Sequence, residues 1–208
     1  MPSQGIFITL EGDDGVGKST LARALATALE GEGLPYLLTS EPGATTLGRE
    51  LRRLLLGGPL ELSPWAELFL FAADRAQHVR EVILPALNEG KVVLCERFTD
   101  STIAYQGYGR GLDLEAVRQV CLLASGGLAP HLTLLLDMEP QEALARKPQF
   151  DCIGGEDLEF HRRVRKGFLA LASQDPQRVV VIEASRPQGE VAAVAWGYVR
   201  RLLDTLSG

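Results

Sequence analysis

The chain has 208 residues, 46% hydrophobic and 23% charged, and its 21 Lys+Arg against 27 Asp+Glu leave a formal net charge of −6. This predicts one soluble globular domain over 1–208 and excludes the broad basic footprint of a nucleic-acid-binding surface. No apolar run reaches the ~18 residues of a membrane helix, Met1 to Gln4 lacks the character of a signal peptide, and Cys95, Cys121 and Cys152 are too sparse for disulfides or a zinc site, as in a cytoplasmic protein.

In chain order, Gly5 to Glu11 reads as a buried strand. Lys18 to Glu30 follows as a helix, with Leu21, Ala24, Leu25, Ala28 and Leu29 on one face. Tyr36 to Thr39 is a second strand and Thr46 to Leu56 a second helix. Ser63-Pro64 caps a long helix to about Leu84, which Pro85 is expected to kink or break. Lys91 to Cys95 is a third strand. Asp113 opens a helix that ends at Gly126-Gly127. Leu132 to Asp137 is a fourth strand, apolar enough to be buried on both faces. Gln141 to Arg146 is a short helix, and 147–156 is a polar loop. Asp157 to Ala172 is helical, Arg178 to Glu183 a fifth strand, and Pro187 to Leu206 the closing helix.

Five apolar strands separated by helices predict an α/β fold: a five-stranded parallel sheet with helices on both faces. Ligands on such sheets bind beyond the carboxyl ends of the strands, where every motif below falls.

Gly12-Asp13-Asp14-Gly15-Val16-Gly17-Lys18-Ser19 matches Gly-x-x-x-x-Gly-Lys-Ser/Thr, and Thr20 follows it. It sits between a strand and a helix, the context of a P-loop. Glycines permit a turn whose N–H groups converge on phosphate, and the helix adds its positive end. A P-loop NTPase fold binding ATP through Gly12 to Thr20 is therefore expected. Lys18 would meet the β- and γ-phosphates, and Ser19 would ligate Mg²⁺. The competing reading is a glycine-rich turn that happens to hold a lysine. Asn88, the one asparagine, precedes Glu89-Gly90 and not a guanine-reading segment, which argues against a GTPase.

Three further segments stand out: Glu41-Pro42-Gly43-Ala44-Thr45-Thr46 with Arg52 beyond, Phe71-Ala72-Ala73-Asp74-Arg75, and Glu96-Arg97-Phe98 running on to Ala104-Tyr105-Gln106-Gly107. With the P-loop, these resemble the bacterial thymidylate kinase family, from Ile6 to about Arg146. The resemblance implies transfer of the γ-phosphoryl group of ATP to dTMP, in a homodimer. It implies Phe71 and Arg75 at the thymine, with Thr102 and Gln106 nearby. It puts Tyr105 against the sugar and Arg97, partnered by Arg52, on the acceptor phosphate. Asp14 would approach the acceptor, and Glu41, Pro42 and Ser101 belong to the same site. Each has a plainer alternative: Phe71 as a core residue, Tyr105 as a half-buried tyrosine, the arginines as surface charges.

Electrostatic roles fall to Lys18, Arg97 and Arg146, positioning roles to Asp14, Arg52 and Arg75, and a water-mediated hold on Mg²⁺ to Glu96. The chain departs from the family pattern at four places. Glu96 replaces an aspartate. Gly43-Ala44 replaces Gly-Gly. Pro130-His131 replaces Pro-Asp, removing a structural carboxylate. The lid, a segment at about 147–156, lacks the usual arginines, which leaves Arg146 and Lys147 to carry its charge. Two other functions stay open: a kinase for another nucleoside monophosphate, and a nucleotide-binding relative with weak or lost catalysis.

Overall fold

The computed structural model describes residues 5–57, 60–146 and 155–207, so Lys147 and most of the expected lid lie outside the described residues. Its strands are β1 (Ile6–Glu11), β2 (Tyr36–Ser40), β3 (Val92–Glu96), β4 (Leu132–Asp137) and β5 (Val179–Glu183). They form one parallel sheet in the order β2-β3-β1-β4-β5. β1 is central, which is why all six of its residues are buried and its sequence shows no polar alternation.

The pleat sends alternate β1 residues to opposite layers. Ile6, Ile8 and Leu10 pack with Leu21, Leu25 and Leu29 of α1 (Lys18–Gly31) and with Ala195 and Val199 of α9 (Gln188–Ser207). On the other face Phe7 meets Val79, Ile83, Val93 and Phe98, with the Phe7 and Phe98 rings edge to face at 5.0 Å. That second layer holds α2 (Thr46–Leu56), α3 (Pro64–His78), α4 (Leu84–Asn88), α5 (Thr99–Thr102), α6 (Leu114–Ser125) and α8 (Leu158–Gln174). The short α7 (Pro140–Ala145) follows β4.

Helix starts follow their capping residues. Thr45, Ser63, Asp113 and Asp157 each accept a hydrogen bond from a backbone N–H of the first turn. Gly126, with φ 61, closes α6.

Pro85 neither breaks nor ends its helix. α3 passes into a π-helical stretch, Val79–Ile83, in which Leu84 N–H reaches back to the Val79 carbonyl, and α4 continues with Pro85 in its first turn. The wider turn relieves the clash a proline ring makes with the preceding helical turn. A second π-helical stretch, Ile103–Gly109, carries Tyr105 and Gln106; the spacing of Thr102 and Gln106 predicts a short helix or turn there, without its π character. His131, which stands where the family pattern has an aspartate, is tied to β1: its Nδ1 accepts from Phe7 N–H at 2.9 Å.

Candidate active site

The loop between β1 and α1 turns tightly because Gly12, Gly15 and Gly17 have positive φ. At Gly12 an added Cβ would lie 2.4 Å from the Leu136 carbonyl oxygen, and at Gly15 1.9 Å from that of Ala143. No side chain fits at either position. The loop is thereby pressed onto the ends of β4 and α7. Lys18 is buried and its Nζ donates to the Gly12 and Asp13 carbonyls at 3.1 and 2.7 Å. Burial and then the nearby Arg97 charge pull this ammonium down to about 7. Ser19 Oγ donates to Glu96 Oε2 at 2.7 Å, bringing together two hard oxygen donors at the ends of β3 and the P-loop.

Arg97 follows β3 in the left-handed region, φ 66, a strained conformation for a residue with a side chain. Glu11 steadies the turn. Its carboxylate, wholly buried, accepts from Phe98 N–H at 2.7 Å and from Ser101 Oγ. Burial and then Asp100 push Glu11 up to about 7. The guanidinium of Arg97 reaches the Gly12 carbonyl, Ser101 Oγ, the Asp14 carboxylate and Tyr105 Oη. It also lies over the Tyr105 ring, 4.9 Å from its centroid.

Arg75, 2% exposed, is the largest side chain among those fully buried. It donates to Glu41 Oε2 and to Thr102 Oγ1 at 3.0 Å. Glu41 accepts a further hydrogen bond from His78 Nδ1, whose other nitrogen meets Thr39 Oγ1. A buried arginine is thus satisfied by a carboxylate, as burial of charge requires. Arg52 donates to the Pro42 carbonyl at 2.8 Å. Asp74 accepts from Gly43 N–H, and burial and then Glu41 raise it to about 6.

One cleft of ≈ 560 Å³ runs past these groups. From the P-loop it is lined by Asp14, Gly15, Gly17, Lys18, Ser19 and Thr20. Glu96, Arg97, Ser101 and Arg146 line it further along. Its far part is lined by Glu41, Pro42, Arg52, Phe71, Arg75, Thr102, Tyr105 and Gln106, with Ser40, Leu56 and Phe98 besides. Gly12, Asp13 and Val16 are not on its wall. Val16 packs into the core instead. Asp13 turns its carboxylate to Tyr105 and His161, which leaves its backbone as the part of it that belongs to the phosphate loop. Phe71 is half-buried, packed against the cluster that holds Tyr105 and Phe160, and it also lines the cleft. Arg146 is exposed and donates to the Ala184 carbonyl.

A family model described as Thymidylate kinase matches residues 10–194. The chain belongs to the thymidylate kinase family. It is 58% identical over 194 residues to a thymidylate kinase of Synechococcus sp., covering 93% of this chain and 94% of that one. It is 48% identical over 200 residues to that of Deinococcus radiodurans, covering 95% and 97%. The crystal structure of thymidylate kinase from Ehrlichia chaffeensis matches with TM-score 0.77 at 35% identity, over 94% of this chain and 98% of that one. Membership in the thymidylate kinase family makes the chain an enzyme, a kinase on the P-loop fold.

Four buried polar side chains around the site were given no role by the sequence: Glu11, Asp74, His78 and His161. Glu11 ends an otherwise apolar strand and Asp74 stands inside Phe71-Ala72-Ala73-Asp74-Arg75, signals that could have found them, while His78 and His161 left none. Asp137, at the end of β4, is held by Arg165 through two hydrogen bonds of 2.8 and 3.0 Å.

Proposed function

We propose that this thymidylate kinase family member transfers the γ-phosphoryl group of ATP to dTMP, giving dTDP and ADP. The observation that carries the reading is the single cleft, with Lys18 at one end, Arg75 and Phe71 at the other and Arg97 between them. Transfer needs the two substrates in line and cations around the moving group. The P-loop N–H groups and Lys18 would hold the donor phosphates. Arg97, with Arg52 beyond it, would hold the acceptor phosphate through bidentate hydrogen bonds. Arg75 would present donors to a thymine carbonyl, Phe71 would stack on the ring, and Thr102, Gln106 and Tyr105 would close the pocket around base and sugar. A phosphate monoester, with its second pKa about 6, is already ionised at neutral pH. No general base is required, so Asp14 acts by positioning.

Ser19 and Glu96 suit Mg²⁺, which takes oxygen ligands beside substrate phosphates. Bound there, Mg²⁺ would neutralise charge on the donor phosphates. Arg146, at the lip of the cleft, is the described cation placed to add charge late in the reaction.

The reading extends to a cytoplasmic homodimer whose whole chain serves as one kinase domain. Leu54 of α2, Trp65 and Phe69 of α3 and Leu122 and Leu123 of α6 are exposed, an apolar set that a second copy would cover. The buried free thiols of Cys95 and Cys121 support a reducing compartment.

The test is ADP release from Mg·ATP with dTMP, beside dUMP, dCMP, dGMP and AMP. Turnover fastest with dTMP is expected. Binding of dTMP without turnover would overturn the kinase reading in favour of a nucleotide-binding relative.

A further inference from the structure

Asp13 is the P-loop residue whose side chain the phosphate chemistry does not use. Its carboxylate is 4% exposed and lies beneath the loop. Oδ1 accepts from the backbone N–H of Asp14 at 2.7 Å and from Tyr105 Oη at 2.8 Å. His161 Nδ1 lies 3.0 Å from both carboxylate oxygens. A carboxylate only accepts, so Nδ1 carries the proton it shares with Asp13. His161 is 0% exposed and sits in the first turn of α8, with its ring edge-on to Phe160. Tyr105 Oη in turn accepts from Arg97 Nη2 at 3.2 Å.

One buried carboxylate therefore joins three pieces of the machine. The Asp14 N–H belongs to the phosphate loop, Tyr105 to the acceptor end of the cleft, and His161 to a helix with no atom on the cleft wall. We propose that His161 is a positioning residue for phosphoryl transfer: through Asp13 it fixes the hydroxyl of Tyr105, and hence Arg97, relative to the P-loop. A charge-assisted hydrogen bond inside a buried network also has a narrow geometry, which suits orientation. The role rests on the kinase reading above.

The test compares His161→Phe, His161→Asn, Tyr105→Phe and the His161→Phe/Tyr105→Phe pair in the full chain, with kcat and KM for dTMP and ATP and the thermal midpoint of each. His161→Phe loses the donor, and kcat/KM for dTMP should fall about tenfold, the scale of one hydrogen bond to a charged group. KM for ATP should move far less. His161→Asn keeps a donor N–H and should recover most of the loss. The paired variant should lose less than the product of its single losses, because both residues act through Asp13. If His161→Phe does not fold, Asp13→Asn replaces it with the same expectation. A lowered thermal midpoint with unchanged kcat/KM for dTMP, or losses that multiply, would overturn the role. Wild-type protein inactive on dTMP would instead overturn the kinase reading, so the two failures are distinguishable.

Discussion

Arg97 Nη2 lies 2.5 Å from Asp14 Oδ1, across 83 residues of chain. The cation proposed for the acceptor phosphate and the acid of the phosphate loop are paired with each other. Both are about four-fifths shielded from water, with side-chain exposures of 20% and 17%, so the pair is neither a surface ion pair nor a fully buried one. An arriving phosphate would compete with Asp14 for the guanidinium and leave it pre-aimed.

Arg97→Ala should therefore lower kcat/KM for dTMP by about 10²–10³, the cost of removing one preorganised donor from a transition state. Arg97→Lys should recover little, because a point charge cannot hold two phosphate oxygens. Steady-state kinetics with dTMP varied at saturating ATP reads both.

Lys18 predicts a proton linkage. Free, it titrates near 7, because burial and Arg97 oppose its charge. Bound phosphates would favour that charge and raise its pKa again. At pH 8.5 ATP binding should then take up ~1 proton, and at pH 6, where Lys18 is already charged, almost none. Calorimetry in buffers of different ionisation enthalpy measures this directly. Equal uptake at the two pH values would refute it.

The Arg75–Glu41 pair predicts a stability effect. Removing Arg75 leaves Glu41 buried, with the hydrogen bond from His78 as its remaining one among the described residues. Arg75→Ala should cost about 3–5 kcal/mol of stability, read from denaturant unfolding. Adding Glu41→Gln should return part of that loss, because the stranded charge is gone.

Arg146 is exposed at the cleft and bonded only to the Ala184 carbonyl in the described structure. Arg146→Ala should lower kcat by about 10²–10³ while both KM values stay near wild type, as expected for a contact made in the transition state. An unchanged kcat would remove it from the catalytic set.

Most of the strands and the P-loop were legible in the sequence because their signals are local. β1 and β4 announce themselves by unbroken apolar runs, and Thr45, Ser63, Asp113 and Asp157 mark helix starts by capping chemistry. Pro85 shows the limit of such signals. Its local meaning is a kink or a break, yet the helix runs on to Asn88 because a π-turn upstream absorbs the proline, and no propensity records that turn. The residues proposed for the acceptor come from the resemblance to a family, since Arg75 alone reads as any helical arginine.

By itself the sequence determined the alternation of strand and helix, the glycine spacing of the phosphate loop and the residue types offered to the cleft. Only the tertiary structure decided which way those side chains face. Asp13 lies inside the most recognisable motif in the chain, yet it turns inward to His161, 148 residues away. Glu11 holds Ser101 across 90 residues, and Glu41 closes on His78 across 37. Such pairings arise where packed layers bring strand ends together and bury charge that must find a partner. Periodicity and spacing act within a turn or two of the chain, so they carry no information about a partner that only folding supplies.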